Sequence, residues 1–413
     1  MNGSRVIRQS ILFLCLTFAM TSHASLTLEQ TWQQVKNRNP ALRASASNIA
    51  ASQGQQVQAS LIPNPSVDVI VGDVPGLGYY SNNQNAQSTY MINQPIELGG
   101  KRGARKEVAK TQFQASQVAY QANSASLFGA TVQAFLMAAE AEAKLDLTKR
   151  AVSINQQTVS TIENRINAGR ASELDLSAAQ IALNDQKLAL ASAENELLNT
   201  QFSLARLWGG STNEANQTLA PSIKKMPLSP LPYYLRHTKQ NIELQFLTEA
   251  EKVAKAQIHL AKSNKYPDVT VGAGIEHFRS NGNAAVIAVS MPIPLFDRNQ
   301  GNEMSAAANY NKTLADSENK ERLLQSEIVK IYQTAKQAQL QIYTLRKSIL
   351  PQSKHALTLA KQGYEQGRFS YLDLLNAQQK LVDAQMREVT AIFLYSKAWY
   401  DLQILTGALP RQG

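Results

Sequence analysis

Three stretches of this 413-residue chain recur in the same order near 200 residues later. Val67 and Val69 of LIPNPSVDVIVG return as Val269 and Val271 of NKYPDVTVGAG, an offset of 202. Pro95, Ile96 and Leu98 of NQPIELGGKRG return as Pro292, Ile293 and Leu295 of SMPIPLFDRNQG, an offset of 197. Gly169, Ser172, Leu174, Asp175 and Gln180 of AGRASELDLSAAQ return as Gly367, Ser370, Leu372, Asp373 and Gln378 of QGRFSYLDLLNAQ, an offset of 198. Three matches in one order imply duplication of a single unit. The expected organisation is two like halves, 25–208 and 231–406, joined by a Gly-, Ser-, Asn- and Pro-rich segment, 209–230, and followed by a short tail, 407–413.

Ahead of the first half, Arg5 and Arg8 precede an apolar run, Ile11 to Met20, and Ser22-His23-Ala24 supplies the small residues a signal peptidase reads. Residues 1–24 are therefore expected to be a secretory signal, too short to span as an anchor. The only cysteine, Cys15, lies inside that run, so the mature chain has no disulfide. No later stretch offers the roughly 20 apolar residues of a membrane helix. An exported chain of this kind is either free in the periplasm or a β-structure in the outer membrane. The formal charge of +10 is scattered along helical segments without interleaved aromatics, which argues against nucleic acid as a partner.

Alternation of apolar and polar residues predicts four strands, about Pro65 to Val74, Thr89 to Leu98, Asp268 to Phe278 and Ala284 to Leu295. In the third, Val269, Val271, Ala273 and Ile275 form one apolar face. About ten residues is the length of a tilted strand crossing a bilayer. Tyr79, Tyr80, Tyr90, Tyr266, Phe278 and Phe296 stand where aromatic girdles would lie, and the loops Gly76 to Gln87 and Ser280 to Asn283 are Gly-, Asn- and Gln-rich. Four strands cannot close a barrel, and open edges are not tolerated in lipid. Two copies would give a barrel filled by its own side chains, so a conduit calls for three copies and twelve strands.

Gly103 to Ala168 contains no proline, and Phe113, Tyr120 and Leu127 recur seven apart. Asn302 to Tyr364 is interrupted only by Pro351. Some 65 residues of helix extend roughly 100 Å, the scale of a long coiled coil. Return helices are expected over Ser172 to Trp208, where Leu174, Ile181 and Leu188 keep a seven-residue spacing, and over Ser370 to Leu405. Single helices, Leu28 to Ala59 and Pro232 to Ser263, precede each strand pair and are expected to stack end to end with the return helices. Gly99-Gly100 would turn the chain from strand to helix, matched more stiffly by Phe296-Asp297, and Glu97, Lys101 and Arg102 at that junction read as an interfacial ion pair.

Paired strands, duplicated long hairpins and an export signal together resemble the outer-membrane efflux proteins of the TolC family. QPIELGGKRGAR (Gln94 to Arg105), Asn39-Pro40 and the PNP at Pro63 to Pro65 resemble its cobalt-zinc-cadmium resistance branch. The resemblance covers essentially the whole mature chain. It implies a mainly α fold with a membrane β-barrel: a homotrimer whose twelve-stranded barrel in outer-membrane lipid continues as a helical tunnel through the periplasm. It implies as partners a periplasmic adaptor and a proton-driven inner-membrane pump, and as function the export of divalent heavy-metal cations. No cofactor and no enzymatic activity are implied.

The distal turns of the tunnel should be RINAGRASELDL and YEQGRFSYLDLL. Gly169 and Gly367 suit a left-handed helix end, Ser172 and Ser370 suit caps, and Glu173 lies in a favourable first turn, while turn chemistry alone leaves the recurrence of Asp175 and Asp373 unexplained. By resemblance Asp373 occupies the position of a carboxylate pointing into the closed aperture. Three copies would make a mutually repelling acidic ring with some raised pKa values and an affinity for cations. The second aperture position is Asn376, which points to a single ring; Arg368 is the nearest candidate for the arginine that some members place at the tunnel mouth. Gly169, Arg170, Ser172, Gly367, Arg368 and Ser370 would form the adaptor-docking turns.

Four mature histidines, His237, His259, His277 and His355, are far apart and lack any HxH or HExxH spacing, so no fixed metal site is expected. No nucleophile context supports an enzyme. A soluble periplasmic adaptor would carry one hairpin in a β-rich body, and a diffusion porin would need many more strands per chain. A channel for drugs or other organic compounds remains the alternative reading of the same architecture.

Overall fold

The structure, a computed structural model, describes residues 26–72, 86–210, 226–279 and 282–408. The expected signal peptide, Tyr79 and Tyr80, and most of the two strand loops and the joining segment lie outside the described residues.

Each half begins with a helix that breaks at an asparagine. In the first, α1 (Leu28–Arg38) opens on a capping box between Thr27 and Gln30 and ends at Asn39, which also caps α2 (Pro40–Ser60). In the second, α5 (Leu231–Arg236) and a short 3-10 turn lead to Asn241, which caps α6 (Ile242–Ser263). The single helices expected over Leu28 to Ala59 and Pro232 to Ser263 are thus corrected to broken pairs. The physical reason is the extended backbone of both asparagines, whose side chains accept from the following helix: Asn39 from the N–H of Ala41, Asn241 from those of Glu243 and Leu244.

The strands β1 (Ser66–Gly72), β2 (Gln87–Ile96), β3 (Val269–Phe278) and β4 (Gly282–Ser290) form one antiparallel sheet in the order β1-β2-β3-β4. The pairing of β2 with β3, Tyr90 opposite Ile275 and Ile92 opposite Ala273, joins the two halves. β4 stops at Ser290, short of the Leu295 expected, because Met291 to Asp297 leave the ladder.

α3 (Lys101–Asn167) is a single helix of 67 residues, about 100 Å long. It returns as α4 (Glu173–Ala205). Its counterpart runs as α7 (Gln300–Thr344), a π turn (Leu345–Ile349) and α8 (Leu350–Glu365), then returns as α9 (Tyr371–Leu405). Pro351 does not break this rod. Its missing N–H and ring are absorbed where the π turn just upstream shifts the hydrogen-bond ladder by one residue.

α3 packs against α2, α4, α6 and α9, whereas α7 packs against α6 and α9, and α8 against α9. Four rods therefore lie side by side: α2 with α4, then α3, then α6 with α9, then α7 with α8. The end-to-end joints are tied by the same two asparagines. Asn39 Nδ2 donates to the Leu207 carbonyl at 2.6 Å, and Asn241 Nδ2 donates to the Leu405 carbonyl at 3.1 Å. The core is thin and long. Its largest cluster sets Phe128, Val132 and Phe135 of α3 against Trp32, Trp208 and Phe393, with Trp32 edge-on to Phe128 at 5.2 Å. Elsewhere alanines such as Ala335 and Ala384 are fully buried and let the rods approach closely.

At the strand-to-helix junctions two expectations change. Glu97 pairs with Arg105, while Lys101 reaches Asp268 at 2.8 Å and Arg102 donates to the Ser60 carbonyl at 2.8 Å. Arg105 also donates to the carbonyls of Ala59 and Leu61, so its guanidinium ties the end of α2 to the strand end. In the second half the residue standing for left-handed Gly100 is Asn299 (φ 62), not Phe296-Asp297. Asparagine tolerates this region better than other side chains, and here its Nδ2 donates to the Ala261 carbonyl at 2.6 Å.

Candidate functional site

Two regions carry the features that a conduit needs, at opposite ends of the helical rods. The first is the pair of hairpin turns. Both close with the same hydrogen bonds: Gly169 N–H donates to Ile166 and Arg170 N–H to Arg165, as Gly367 N–H does to Tyr364 and Arg368 N–H to Gly363. This is the Schellman pattern, and it needs Gly169 (φ 70) and Gly367 (φ 71) in the left-handed region.

Immediately after each turn sits a reciprocal capping box. Asp175 N–H donates to Ser172 Oγ at 3.2 Å while Ser172 N–H donates to Asp175 Oδ2 at 3.2 Å. Asp373 N–H donates to Ser370 Oγ at 3.2 Å, and the Ser370 N–H and hydroxyl donate to Asp373 Oδ2 at 3.0 and 2.7 Å. Cap chemistry therefore does account for both aspartates in one register, contrary to the expectation from sequence. The Ser370 hydroxyl, and then its backbone N–H, hold the Asp373 carboxyl below its ordinary pKa.

The two turns lie against each other. Arg165 stacks over the Tyr364 ring at 4.5 Å and donates to the carbonyls of Glu365 and Arg170. Ile162, Tyr364, Tyr371 and Leu374 form the core beneath. Burial, then the neighbouring Tyr364 and Asp175, push the Tyr371 phenol up to about 12. Asp373, Arg368, Arg170, Ser172 and Ser370 are exposed, as is Asn376, whereas Asp175 is half-buried. Arg165, Tyr364, Tyr371 and the contact of Gly363 with Phe369 were not legible from the repeat, because Gly363, Ile166 and Glu173 stand at the matching positions of the other half.

The second region is the sheet. Val67, Val69 and Val71 of β1, Tyr90 and Ile92 of β2, Val271, Ala273 and Ile275 of β3, and Ile287 and Val289 of β4 share one face through the pairing register. All of these are exposed, Ile287 to 81%. The opposite face is mixed: polar and small residues such as Asp68, Thr89, Asn93, Gly272 and Gly274 stand beside Ile70, Met91 and Val286, with Asn93 Nδ2 donating to Asp68 Oδ2 at 2.6 Å and Gly272 packed against Asn93 and Met91. Adding a Cβ at Gly272 would place it 2.0 Å from Asn93 Oδ1. Among the described residues β1 and β4 each have one unpaired edge. Tyr90 sits opposite Val69 and Ile275 inside the sheet rather than at a strand end, whereas Tyr266 and Phe296 lie at the helical end and are exposed.

Residues 31–210 and 238–408 match the family described as outer membrane efflux protein. The chain belongs to that family. It is 28% identical over 372 residues to the cobalt-zinc-cadmium resistance protein CzcC of Cupriavidus metallidurans, covering 90% of this chain and 87% of that one. It is 29% identical over 279 residues to the nickel-cobalt-cadmium resistance protein NccC of Alcaligenes xylosoxydans xylosoxydans, covering 65% and 61%. Among solved structures, the outer membrane protein VceC of Vibrio cholerae superposes with a TM-score of 0.76 at 21% identity, covering 92% of this chain and 96% of that one. This outer membrane efflux protein thus has the mostly helical fold of the TolC-like outer-membrane channels, with its long hairpins extending into the periplasm. No helix among the described residues is long and apolar enough to cross a membrane.

Proposed function

We propose that this outer membrane efflux protein is the exit duct of a tripartite export system for divalent heavy-metal cations. Three copies would pool their four-stranded sheets into a twelve-stranded barrel, joining β4 of each chain to β1 of the next. The supporting observation is the sheet itself: one continuous exposed apolar face, an opposite face richer in polar and small residues, and two edges unpaired among the described residues; in the barrel the apolar face would turn outward. Strand edges cannot remain unpaired in lipid. The two halves, 25–208 and 231–406, arise from one duplicated unit, with 209–230 as connector. A periplasmic adaptor would dock on the turns at Gly169, Arg170, Ser172, Gly367, Arg368 and Ser370, and a proton-driven inner-membrane pump would supply the cation. Asp373 would form the ring at the closed aperture, with Asn376 one turn behind it, Arg368 at the mouth and Asp175 in the outer turn. In that ring, repulsion between three carboxylates would work against the lowering that Ser370 imposes within each chain.

The metal class follows from the similarity to CzcC and NccC, both metal-resistance proteins by name. Mass measurement of the detergent-purified complex tests the assembly, and a stable water-soluble monomer would refute it. Zinc, cobalt and cadmium tolerance of a deletion strain, compared with its tolerance of organic toxicants, tests the substrate. Sensitivity to organic toxicants alone would reassign the duct to organic compounds.

A further inference from the structure

At the end of the rods nearest the sheet, an open groove of about 530 Å³ runs between α2 and α3, walled by Gln53, Gln56, Val57 and Ser60 on one side and by Lys106 and Lys110 on the other. Arg102 joins it at the rim, where its Nε donates to the Ser60 carbonyl at 2.8 Å. Arg102, Lys106 and Lys110 stand at i, i+4 and i+8, so they form one stripe along α3. The neighbouring cations are answered, Lys101 by Asp268 at 2.8 Å and Arg105 by Glu97. The stripe is not. Arg102 and Lys106 make no ion pair among the described residues, and Lys110 has only Glu107, at 4.0 Å with both side chains 55% exposed. Glu107 is the one carboxylate in the groove lining. A surface pair of that kind offsets little, and like charges at i, i+4 destabilise a helix. The stripe therefore calls for an anion that no described residue supplies.

The surface beside the groove is apolar. Val57, in the wall itself, is 60% exposed, and Leu61 and Ile62, on the link from α2 to β1, are 49% and 62% exposed. Ile96 and Leu98, leading from β2 into α3, are exposed as well. A small inorganic anion would answer the lysines and leave this surface in water. An anion with an apolar tail answers both. We propose that the groove binds an anionic phospholipid of the membrane leaflet facing the periplasm. Its phosphate lies on Arg102, Lys106 and Lys110, the amides of Gln53 and Gln56 donate to its remaining head-group oxygens, and its acyl chains run over Val57, Leu61 and Ile62 toward the sheet. The proposal rests on the sheet standing in lipid, which puts the level of the head groups at the sheet's helical end. Basic side chains at that level favour anionic lipid by about fivefold each. Turned instead toward the conduit, the same stripe would repel the cation that the duct is proposed to carry. Facing the lipid, it would fix the depth at which the rods meet the membrane.

The test titrates the detergent-purified protein with dioleoyl phosphatidylglycerol, with dioleoyl phosphatidylcholine as its zwitterionic match, and counts bound lipid by native mass spectrometry. At the tightest site phosphatidylglycerol should bind at least about tenfold more tightly than phosphatidylcholine. Lys106→Gln with Lys110→Gln should weaken phosphatidylglycerol by about 25-fold and leave phosphatidylcholine unchanged. Glu107→Gln should tighten phosphatidylglycerol by about two- to fivefold. Lys354→Gln with Lys361→Gln, exposed on α8 toward the turns, removes the same charge and should alter neither lipid. As a reading of place, Gln53→Cys, at an exposed position in a Cys15→Ser background, should be protected from a maleimide by phosphatidylglycerol and not by phosphatidylcholine or inorganic phosphate. Equal binding of the two lipids would leave a surface that reads acyl chains alone. Protection by inorganic phosphate alone would make the groove a site for a free anion. Unchanged phosphatidylglycerol affinity without Lys106 and Lys110, or an equal loss without Lys354 and Lys361, would place the lipid elsewhere. Each of these results overturns the proposal and leaves the duct standing, since none depends on subunit number or cargo, whereas a protein soluble without detergent would overturn both.

Discussion

The asparagine joints invite a quantitative test, because Asn39 and Asn241 each serve two helices through opposite ends of one amide. Asn241 accepts from Glu243 N–H at 2.9 Å and donates to the Leu405 carbonyl at 3.1 Å, and it is 3% exposed. Losing an asparagine N-cap to alanine costs about 1 kcal/mol. Leaving the half-buried carbonyl without its donor costs up to about 1–3 kcal/mol more. Asn241→Ala should therefore destabilise the joint between α6 and α9 by about 2–4 kcal/mol, and Asn39→Ala that between α2 and α4 by a similar amount. Serine separates the two contributions, since its hydroxyl can still cap but cannot reach the far carbonyl.

Hydrogen exchange read by mass spectrometry suits this question, because it reports local opening directly and needs no reversible global unfolding. At about 1.4 kcal/mol per factor of ten, Asn39→Ala should speed exchange of the 3-10 turn Arg206–Trp208 by about 30- to several hundred-fold. Asn39→Ser should recover about a factor of five while remaining well above the parent. The two alanine changes lie in separate joints and should act independently, so each should leave the other joint's exchange unaltered. Parent-level exchange in Asn39→Ser would show that the amide-to-Leu207 tie contributes nothing, and parent-level exchange in Asn39→Ala would refute the joint altogether.

Three further outcomes follow from the geometry. Ile287→Lys puts a charge on the apolar face and should abolish recovery in the outer-membrane fraction, at a cost of up to about 2–4 kcal/mol per chain near mid-bilayer, whereas neighbouring Ala288→Lys, on the opposite face, should still insert; equal recovery of both would reverse the face assignment. Gly363→Ala sets a methyl carbon 2.1 Å from the Phe369 ring and should lower the thermal midpoint, and adding Phe369→Ala should restore it; an unchanged midpoint in the single variant would deny the packing. The Asp373 carboxyl is held below its ordinary pKa, so its contribution to the α9 cap is complete above the ordinary carboxylate range and is lost as pH falls through the depressed value; first-turn exchange of α9 rising already at neutral pH would contradict this, while in bilayer recordings Asp373→Asn should lift block by polyvalent cations, and block at the parent's concentration would remove Asp373 from the aperture.

Much of the architecture was legible because it rests on periodicity and on glycine. Period two marked all four strands within a few residues, and one proline-free run with a seven-residue spacing, with a second broken only by Pro351, marked the long rods. Left-handed Gly169 and Gly367 marked the turns. What was not legible depended on side chains that act through space across more than a hundred residues. Asn39-Pro40 reads locally as a helix start, but nothing local says that its amide also reaches Leu207, 168 residues on. The aspartates show the converse error. Asp175 and Asp373 looked too regular for turn chemistry, yet a capping box demands an acceptor three residues after the serine, so regular recurrence is what cap chemistry produces. Recurrence in a duplicated chain therefore carries no functional weight until the local hydrogen bonds are known.

The stripe Leu174, Ile181 and Leu188 shows where periodicity stops being informative. Seven-residue spacing says that one face of α4 is apolar but not which surface covers it. In the structure Leu174, Ile181 and Leu188 are 78%, 62% and 70% exposed, so the stripe does not seat in the chain's own hairpin. On the far rod Leu323, Leu340, Tyr343 and Leu359 are also exposed, from 48% to 63%. A slab of four rods has two outer rods, and both carry apolar residues that nothing among the described residues covers. The sheet above has two open edges in the same arrangement. Closing the slab on itself would require rods about 100 Å long to curl around a circumference only four helices wide, leaving no room for a lumen. Repetition of the chain about an axis covers both outer rods and both strand edges at once, with one kind of contact. The unmet surfaces of the helices and of the strands thus call for the same operation, and the trimer proposed above would meet both at once.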